Sequence, residues 1–201
     1  MGEIRNAERT RKKILEAARG EFFSKGYTGT RIESIATRAN VKKQLLYHYF
    51  KGKEEIFEAV MENLYSQHLP ISLKTPTNPV LLAEHRLEVN IEYRMDFLKF
   101  TAWQALEDQP DNPHRNTIRK QVLQSYVEDL SSKQEFGLVP EDLDPALLTL
   151  AITSLTTYPL VFADATKMIT GMSPTDKEFQ EKWKTFLTKI SEKILTKDSS
   201  S

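Results

Sequence analysis

Apolar side chains recur every three or four residues along most of the chain, which is the period of an amphipathic α-helix. The first such stripe contains Ile14, Leu15, Ala18 and Phe22, and no segment of the sequence alternates apolar and polar residues as a half-buried β-strand would. We therefore predict an all-α protein of about nine helices. They are expected at residues 8–25, 31–38, 42–49, 52–69, 79–93, 95–108, 113–135, 145–168 and 174–196.

Capping signals set the ends of these predicted helices. An Asn, Asp or Ser side chain can accept a hydrogen bond from an unpaired N–H at a helix start, and proline fits the first helical position because it has no N–H. Glycine adopts the left-handed conformation that ends many helices, and proline cannot continue one. The predicted starts are Asn78-Pro79, Asn112-Pro113, Asp144-Pro145 and Ser173-Pro174, and the predicted stops are Gly26, Gly137, Gly171 and Pro70.

Charge is distributed unevenly along a chain whose formal net charge is zero. Residues 1–53 carry 13 Lys and Arg against 5 Asp and Glu, so the remainder of the chain is acidic. A basic module on an acidic remainder is expected of a protein that meets the phosphates of a nucleic acid through one end. The N-terminal quarter is therefore the candidate binding surface.

Two short predicted helices in this basic quarter, 31–38 and 42–49, are separated by Ala39-Asn40-Val41. Asn tolerates the left-handed backbone that a tight turn between helices requires. The pair is therefore a candidate helix-turn-helix at about residues 31–50. On a helical wheel, the predicted buried face of the second helix consists of Val41, Leu45, Leu46, Tyr49 and Phe50.

The opposite face of that helix carries Lys43, Gln44, Tyr47 and His48. Lys can meet guanine acceptors or phosphate, Gln can bond the edges of bases, and Tyr and His can donate to phosphate oxygens. An ordinary solvated helix face has the same composition, so the wheel alone leaves both interpretations open.

Several short motifs follow one another in register across about the first 65 residues. They are Gly26-Tyr27-Thr28-Gly29-Thr30, Ile35-Ala36, Ala39-Asn40-Val41, Leu46-Tyr47-His48-Tyr49-Phe50 and Lys51-Gly52-Lys53-Glu54-Glu55-Ile56-Phe57. In this combination and spacing the chain resembles the TetR family of helix-turn-helix transcriptional regulators. A composite pattern is more specific than any one short motif.

The resemblance implies a three-helix DNA-binding head, a fourth helix that links it to a larger helical body, dimerisation through the last two helices, and release of DNA when a small molecule binds the body. We expect a DNA-binding domain at 1–53, a connecting helix at 54–69, and an effector-binding and dimerisation domain at 70–201. The expected protein is a dimeric repressor that a ligand releases from a double-stranded DNA operator. Activation in place of repression is an open alternative.

Matching positions one at a time to the family assigns DNA contacts to individual residues. Arg31 stands where the family often has a small hydroxyl residue, so its assignment as a phosphate contact rests on its charge and position. Lys42 and Leu45 also depart from the family, which commonly has Ser and Thr there. The resemblance implies backbone contacts by Thr30, Tyr47, His48 and Lys53, and base or groove-edge contacts by Lys43 and Gln44.

Aromatic side chains in the body are expected to serve mainly as core, with a ligand pocket as the functional alternative. Binding sites in helical proteins lie between helices and are mostly apolar, so the ligand is expected to be small and largely apolar. Pro159 supports a pocket because it interrupts the predicted helix 145–168 and leaves a carbonyl without its usual partner. The predicted lining is Phe97, Phe100, Trp103, Tyr126, Tyr158 and Phe162.

The last two predicted helices carry more apolar surface than one neighbouring stripe can cover. The segment from Leu147 to Leu155 is apolar around most of its circumference, and a stripe runs from Phe179 to Ile194. Such helices can build a symmetric four-helix interface. We therefore predict a homodimer through 145–168 and 174–196, with a central position of the first helix inside one subunit as the alternative.

Other chemistry is poorly represented in the sequence. The chain has no Cys, and none of its four His residues belongs to a recognised metal motif or to a catalytic signature. We predict no enzyme activity, no cofactor and no metal site. No apolar run has the length that spans a bilayer, so a cytoplasmic protein without a membrane partner is expected. The alternatives are a DNA-organising or partner-binding protein of the same fold without an effector and, more remotely, a helical enzyme.

Overall fold

The computed structural model of the chain describes residues 2–72, 74–95, 97–98, 102 and 113–195. These residues form nine α-helices and no β-strand, which confirms the predicted all-α class. A 3-10 turn at Pro79–Leu81 precedes the fifth helix, and a π-helical turn at Asn90–Arg94 follows it. The helices are α1 (Gly2–Gly29), α2 (Ile32–Arg38), α3 (Lys43–Tyr49), α4 (Lys53–Ser72), α5 (Leu82–Val89), α6 (Pro113–Glu135), α7 (Pro145–Val161), α8 (Ala163–Thr170) and α9 (Lys177–Leu195).

The chain divides into two compact units, and the division falls inside α4, after Gln67. The first unit, called the head below, contains α1, α2, α3 and most of α4. The second unit, called the body, contains α5, most of α6, and α7 to α9.

The core of the head is built from the apolar stripes of its helices. The predicted stripe of α1 is buried, with Ile14, Ala18 and Phe22 fully enclosed. Ile35 of α2 and Leu46 of α3 are also fully enclosed, and α4 contributes side chains that include Ile56 and Phe57. Burial of this apolar area holds the short helices α2 and α3 in place, because helices of seven residues are not stable alone.

The turn between α2 and α3 depends on a single left-handed residue. Asn40 adopts a φ of 53°, which confirms the prediction for this position. The amide of Val41 then donates to the carbonyl of Ala36 over 3.0 Å and closes the turn. Because the turn is tight and both helices are anchored by buried residues, the outer face of α3 has a defined orientation within the head.

The core of the body lies where α5 packs against α7 and α9. Asp144 caps the start of α7 as predicted, accepting hydrogen bonds from the amides of Ala146 and Leu147. Asn78 caps the 3-10 turn before α5 in the same way. The buried apolar residues of this core are Leu82, Ala83, Leu87, Leu98, Leu130, Val139, Ile152, Leu160, Leu187 and Leu195.

The predicted single helix at 145–168 is wrong, because the chain turns by 91° between α7 and α8. Phe162 leaves the helical region with φ −101° and ψ 59°. The hydroxyl of Thr166 bonds the carbonyls of Pro159 and Phe162, at 3.1 and 3.0 Å, and so closes the corner. Pro159 itself is accommodated inside α7, one turn before the break.

Helix α7 accommodates Pro159 through a contact with α9. The missing N–H of Pro159 would have bonded the carbonyl of Leu155, four residues earlier. The indole Nε1 of Trp183 donates to that carbonyl over 3.1 Å instead. The carbonyl that the sequence predicts to lack its usual partner is therefore satisfied from a neighbouring helix.

Several predicted boundaries are also wrong. Helix α9 begins at Lys177, because Ser173 and Asp176 first form a turn in which the amide of Asp176 bonds the carbonyl of Ser173 over 2.9 Å. Pro70 does not end α4, which continues to Ser72. Gly137 and Gly171 have the positive φ predicted for helix ends, whereas Gly26 with φ 72° kinks α1 near its end. Most of the predicted helix 95–108 lies outside the described residues.

Within the described part of the chain, no single helix is long and apolar enough to cross a membrane. Helices α7 and α8 reach that length and composition only together, as a bent pair.

Candidate nucleic-acid interface

Helix α3 buries only a narrow side against the rest of the head. Leu46 and Phe50 are enclosed, and Val41 and Tyr49 are partly buried. Leu45 is 40 % exposed, so its predicted place in the buried face is wrong. Leu45 lies 100° around the helix from Leu46, beyond the arc of α3 that the rest of the head covers. Leu45 therefore adjoins the outer face, where an apolar side chain can meet a thymine methyl group.

The outer face of α3 holds the four side chains that the wheel placed there. Lys43, Gln44, Tyr47 and His48 are all exposed. Lys42 occupies the N-cap position in an extended conformation, without a capping hydrogen bond from its side chain. The row therefore presents hydrogen-bond donors and acceptors to solvent from a helix whose other side is anchored.

Lys43 is paired with a residue of the preceding helix. Its Nζ lies 2.5 Å from Oε1 of Glu33, and both side chains are at least half exposed. The hydrogen bond between the two side chains lowers the pKa of Glu33 and raises the pKa of Lys43. The ammonium also lies 5.8 Å from the centre of the Tyr47 ring. Two helices of the helix-turn-helix thus share one ion pair on the outer face.

Thr30 and Arg31 precede α2 and point in different directions. Thr30 is buried, and its hydroxyl donates to the carbonyl of Gly26 over 2.6 Å. In this conformation Thr30 holds the connection between α1 and α2. Arg31 is exposed, and it occupies the N-cap position of α2 in an extended conformation.

Lys53 at the start of α4 is held by the end of α1. Its Nζ lies 4.5 Å from the centre of the Tyr27 ring and 3.4 Å from the carbonyl oxygen of Thr28. The hydroxyl of Tyr27 donates to Oε2 of Glu54 over 2.5 Å. The ring of Tyr27 also packs against Phe22 and Phe57. Lys53 is therefore attached to the core of the head by an aromatic ring.

A buried carboxylate ties α1 to α2. Glu21 is 6 % exposed and accepts from Lys25 over 2.6 Å and from Arg38 over 3.3 Å. The hydrogen bond from Lys25 and that from Arg38 lower the pKa of Glu21 against the opposing effect of burial. Gly20 leaves the space for the guanidinium, since a Cβ there would collide with Arg38.

Glu33, Tyr27 and Leu45 lie at the candidate interface but are absent from the set of residues predicted from the sequence. Glu33 and Lys43 are ten residues apart in different helices, so no helical spacing connects them. Tyr27 and Glu54 are separated by 27 residues. Leu45 is the exception, because a narrower buried arc on the wheel would have placed it outside.

The predicted ligand-binding residues of the body are not all brought together. Phe97 and Tyr126 are buried, while Tyr158 and Phe162 are about half exposed, with ring centres 4.8 Å apart. Phe100 and Trp103 lie outside the described residues.

Tyr126 borders a small cavity of about 10 Å³ between α5 and α6, which is room for one water molecule. The guanidinium of Arg86 lies 3.6 Å from the centre of the Tyr126 ring. Nε2 of His85 is buried there without a hydrogen-bond partner. Within the described residues, no group of three or more His, Asp or Glu side chains is placed to hold a metal ion.

An anchored helix-turn-helix with a polar outer face, within the basic segment 1–53, defines a DNA-binding protein of the transcriptional regulator class. Residues 14–60 match the family model described as bacterial regulatory proteins, tetR family. This segment of the chain matches the family, and relatives of the chain carry the names of HTH-type transcriptional repressors and regulators.

Two relatives illustrate the extent of the similarity. The HTH-type transcriptional repressor SCO4008 of Streptomyces coelicolor is 26 % identical over 171 residues, which covers 83 % of this chain and 86 % of the relative. The HTH-type transcriptional repressor NicS of Pseudomonas putida is 45 % identical over 60 residues, or 30 % of this chain and 28 % of NicS. Similarity is therefore stronger over a short segment than over the whole chain.

Solved structures share the fold. Streptomyces coelicolor SCO4942 has a TM-score of 0.74 at 21 % identity, and the match covers 92 % of this chain and 98 % of SCO4942. Salmonella enterica GusR has a TM-score of 0.65 at 20 % identity, and the match covers 92 % of this chain and 95 % of GusR.

Proposed function

We propose that the protein is a dimeric repressor that holds a double-stranded DNA operator through α3 and leaves it when a small molecule binds the body. The observation that carries this proposal is the exposed row of Lys43, Gln44, Tyr47 and His48 on a helix whose opposite side is anchored in the head. A recognition helix needs this combination of a fixed orientation and exposed donors and acceptors.

Each predicted DNA contact has a role in the proposal. Lys43 and Gln44 meet base or groove edges, with Leu45 beside them. Arg31, Tyr47, His48 and Lys53 contact phosphates on either side of the groove. Thr30, which the family resemblance assigns to the DNA backbone, here positions the start of α2, because it is buried and its hydroxyl already donates to the carbonyl of Gly26. Residues 1–53 form the DNA-binding domain, 54–69 the connecting helix, and 70–201 the effector-binding and dimerisation domain.

The dimer interface in this proposal consists of the outward faces of α7 and α9. Leu147 and Leu150 are 67 % and 62 % exposed, and Ser154 and Tyr158 continue the same face of α7. Phe186 and Ile194 are exposed on α9. The hydrogen bond from Trp183 to the carbonyl of Leu155 links the two helices, and the proposal assigns both exposed faces to one interface. A symmetric partner that brings the same surface would cover it.

The ligand in this proposal is small and largely apolar, with one polar group. The predicted aromatic lining supplies the apolar contacts, and the buried Nε2 of His85 supplies an unused hydrogen-bonding group beside Tyr126. A cavity of about 10 Å³ is too small for such a molecule, so binding must widen the space between α5 and α6. A ligand that prefers the widened body has the differential affinity that a switch requires.

The direct test is selection of bound sequences from a random pool of duplexes, followed by titration of the best sequence and a scrambled version. We expect a two-fold symmetric site that binds about 1,000-fold tighter than the scrambled duplex, which is the lower end of the usual range for specific binding. Lys43→Ala should lose that preference, while Lys189→Ala, on the exposed side of α9, should keep it.

Two results would contradict the proposal. A chain that binds all duplexes equally at many genomic positions would be a DNA-organising protein of the same fold. Ligand control would be contradicted if no compound in a broad panel of small apolar acids and aromatics raised the melting temperature or released the operator.

A further inference from the structure

Glu33 and Lys43 form an ion pair within the outer surface of the helix-turn-helix. Glu33 lies in the first turn of α2, Lys43 is the first residue of α3, and their charged atoms are 2.5 Å apart. Buried Ile35 and Leu46 fix the two helices, and the left-handed Asn40 fixes the turn between them. The backbone therefore holds the two side chains within reach of each other before DNA is bound.

We propose that Glu33 is a specificity-determining residue, which rests on the proposed function: it neutralises Lys43 toward phosphates while leaving Lys43 able to donate to base edges. Lys43 has three N–H donors, and Glu33 engages one of them. The other donors remain available for an acceptor in the groove.

Phosphate contacts and base contacts respond differently to this pair. A lysine that neutralises a phosphate releases a counterion and strengthens binding to every DNA sequence. A lysine that is already paired with a carboxylate releases few counterions when it binds a phosphate. Moving Lys43 onto a phosphate would also bring the charge of Glu33 close to the DNA. A base-edge acceptor carries no full charge, so it can bond Lys43 without that repulsion. The pair thus suppresses binding to random DNA more than binding to the operator.

Neighbouring charges do not replace Glu33 in this role. Arg31 is a further charged group that acts on Glu33, and Tyr47 is a further group that acts on Lys43. Neither can accept the Lys43 hydrogen bond as a carboxylate does. Because an exposed ion pair contributes little to folding, Glu33 can be replaced without loss of the fold.

The test compares Glu33→Gln with wild type on the selected operator and on a scrambled duplex at several salt concentrations. Affinity for the scrambled duplex should rise about three- to fivefold, with a salt slope steeper by about one unit for each Lys43 that gains a phosphate. Affinity for the operator should change by less than about twofold, so the specificity ratio falls.

Two matched variants separate this role from a general effect of charge. Glu62→Gln removes the same charge from an exposed position of α4 and should leave the ratio unchanged. In a Lys43→Ala background, Glu33→Gln should have little further effect on the scrambled duplex, because the lysine that it releases is absent.

Three outcomes would overturn the inference. If Glu33→Gln left the specificity ratio unchanged while wild type still preferred the operator, the inference would be overturned and the proposed function would stand. An equal rise in random binding in the Lys43→Ala background would show that Glu33 acts by simple repulsion of DNA. A wild-type protein without any preferred duplex would overturn the inference and the proposed function together.

Discussion

Individual side chains of the head differ in how firmly the fold holds them. Lys53 lies against the Tyr27 ring and the carbonyl of Thr28, whereas Gln44 is exposed on the outer face of α3. A lysine held at the start of a helix suits a fixed phosphate contact. An exposed amide suits the edge of a base.

We expect replacements of these two residues to have different effects on binding. Lys53→Ala should weaken binding to all DNA alike and lower the salt slope by about one unit for each phosphate that is no longer neutralised. Gln44→Ala should cost about 1–3 kcal/mol on the operator and much less on random DNA. Titration of both variants on both duplexes at several salt concentrations measures this. The opposite pattern would exchange the two roles.

Glu21 makes the stability of the head depend on pH. Its pKa is lowered in the folded protein, chiefly by the hydrogen bond from Lys25 and also by that from Arg38. A carboxylate of this kind stabilises the folded state above its ordinary pKa of 4.5, and the contribution disappears as the pH falls through the lowered value.

Glu21→Gln should therefore melt at a lower temperature than wild type at pH 7, and the difference should shrink as the pH falls below 4.5. Thermal unfolding from pH 7 to pH 3 checks this. Glu16→Gln, on the exposed side of α1 and 4.0 Å from Lys12, is the control and should show no such convergence. A difference that is constant with pH would mean that Glu21 acts through packing and not through its charge.

At the level of helices, α7 depends on α9 because of one hydrogen bond. Pro159 removes the usual partner of the Leu155 carbonyl, and the indole of Trp183 replaces it over 3.1 Å. Trp183→Phe should keep most of the packing but leave that carbonyl unpaired, at a cost of about 1–3 kcal/mol in the free energy of unfolding.

A double-mutant cycle tests this compensation. Pro159→Ala restores an N–H that can bond the Leu155 carbonyl within α7. Trp183→Phe should then cost clearly less in the Pro159→Ala background than in wild type, as measured by denaturant unfolding. Additive costs would show that the indole and the proline are independent.

For the whole molecule, we expect the apolar surface of α7 and α9 to determine assembly. Leu150→Glu should give monomers in sedimentation at micromolar concentration, because it places a charge in the proposed interface. The monomer should also bind the operator far more weakly, since paired half-sites require paired recognition helices. Met168→Glu is the matched control, because Met168 is 85 % exposed on α8, outside both faces. A dimer that survives Leu150→Glu and not Met168→Glu would move the interface to α8.

Much of the fold follows from the sequence. The helical period, the caps at Asn78 and Asp144, and the left-handed Asn40 were all predictable, because each depends on residues within one or two turns of the chain. The outer face of α3 was predictable for the same reason. The limits of its buried face were not, since the exposure of Leu45 depends on how far the rest of the head reaches around the helix.

The sequence by itself determined the class of the protein and the set of polar groups on the outer face of α3, because both are local patterns. Only the tertiary structure decided that Thr30 faces inward, that Trp183 completes the hydrogen bonding around Pro159, and that Glu33 pairs with Lys43. These contacts join residues on different elements or across a turn, and helical periodicity does not specify which side chains of two packed elements meet.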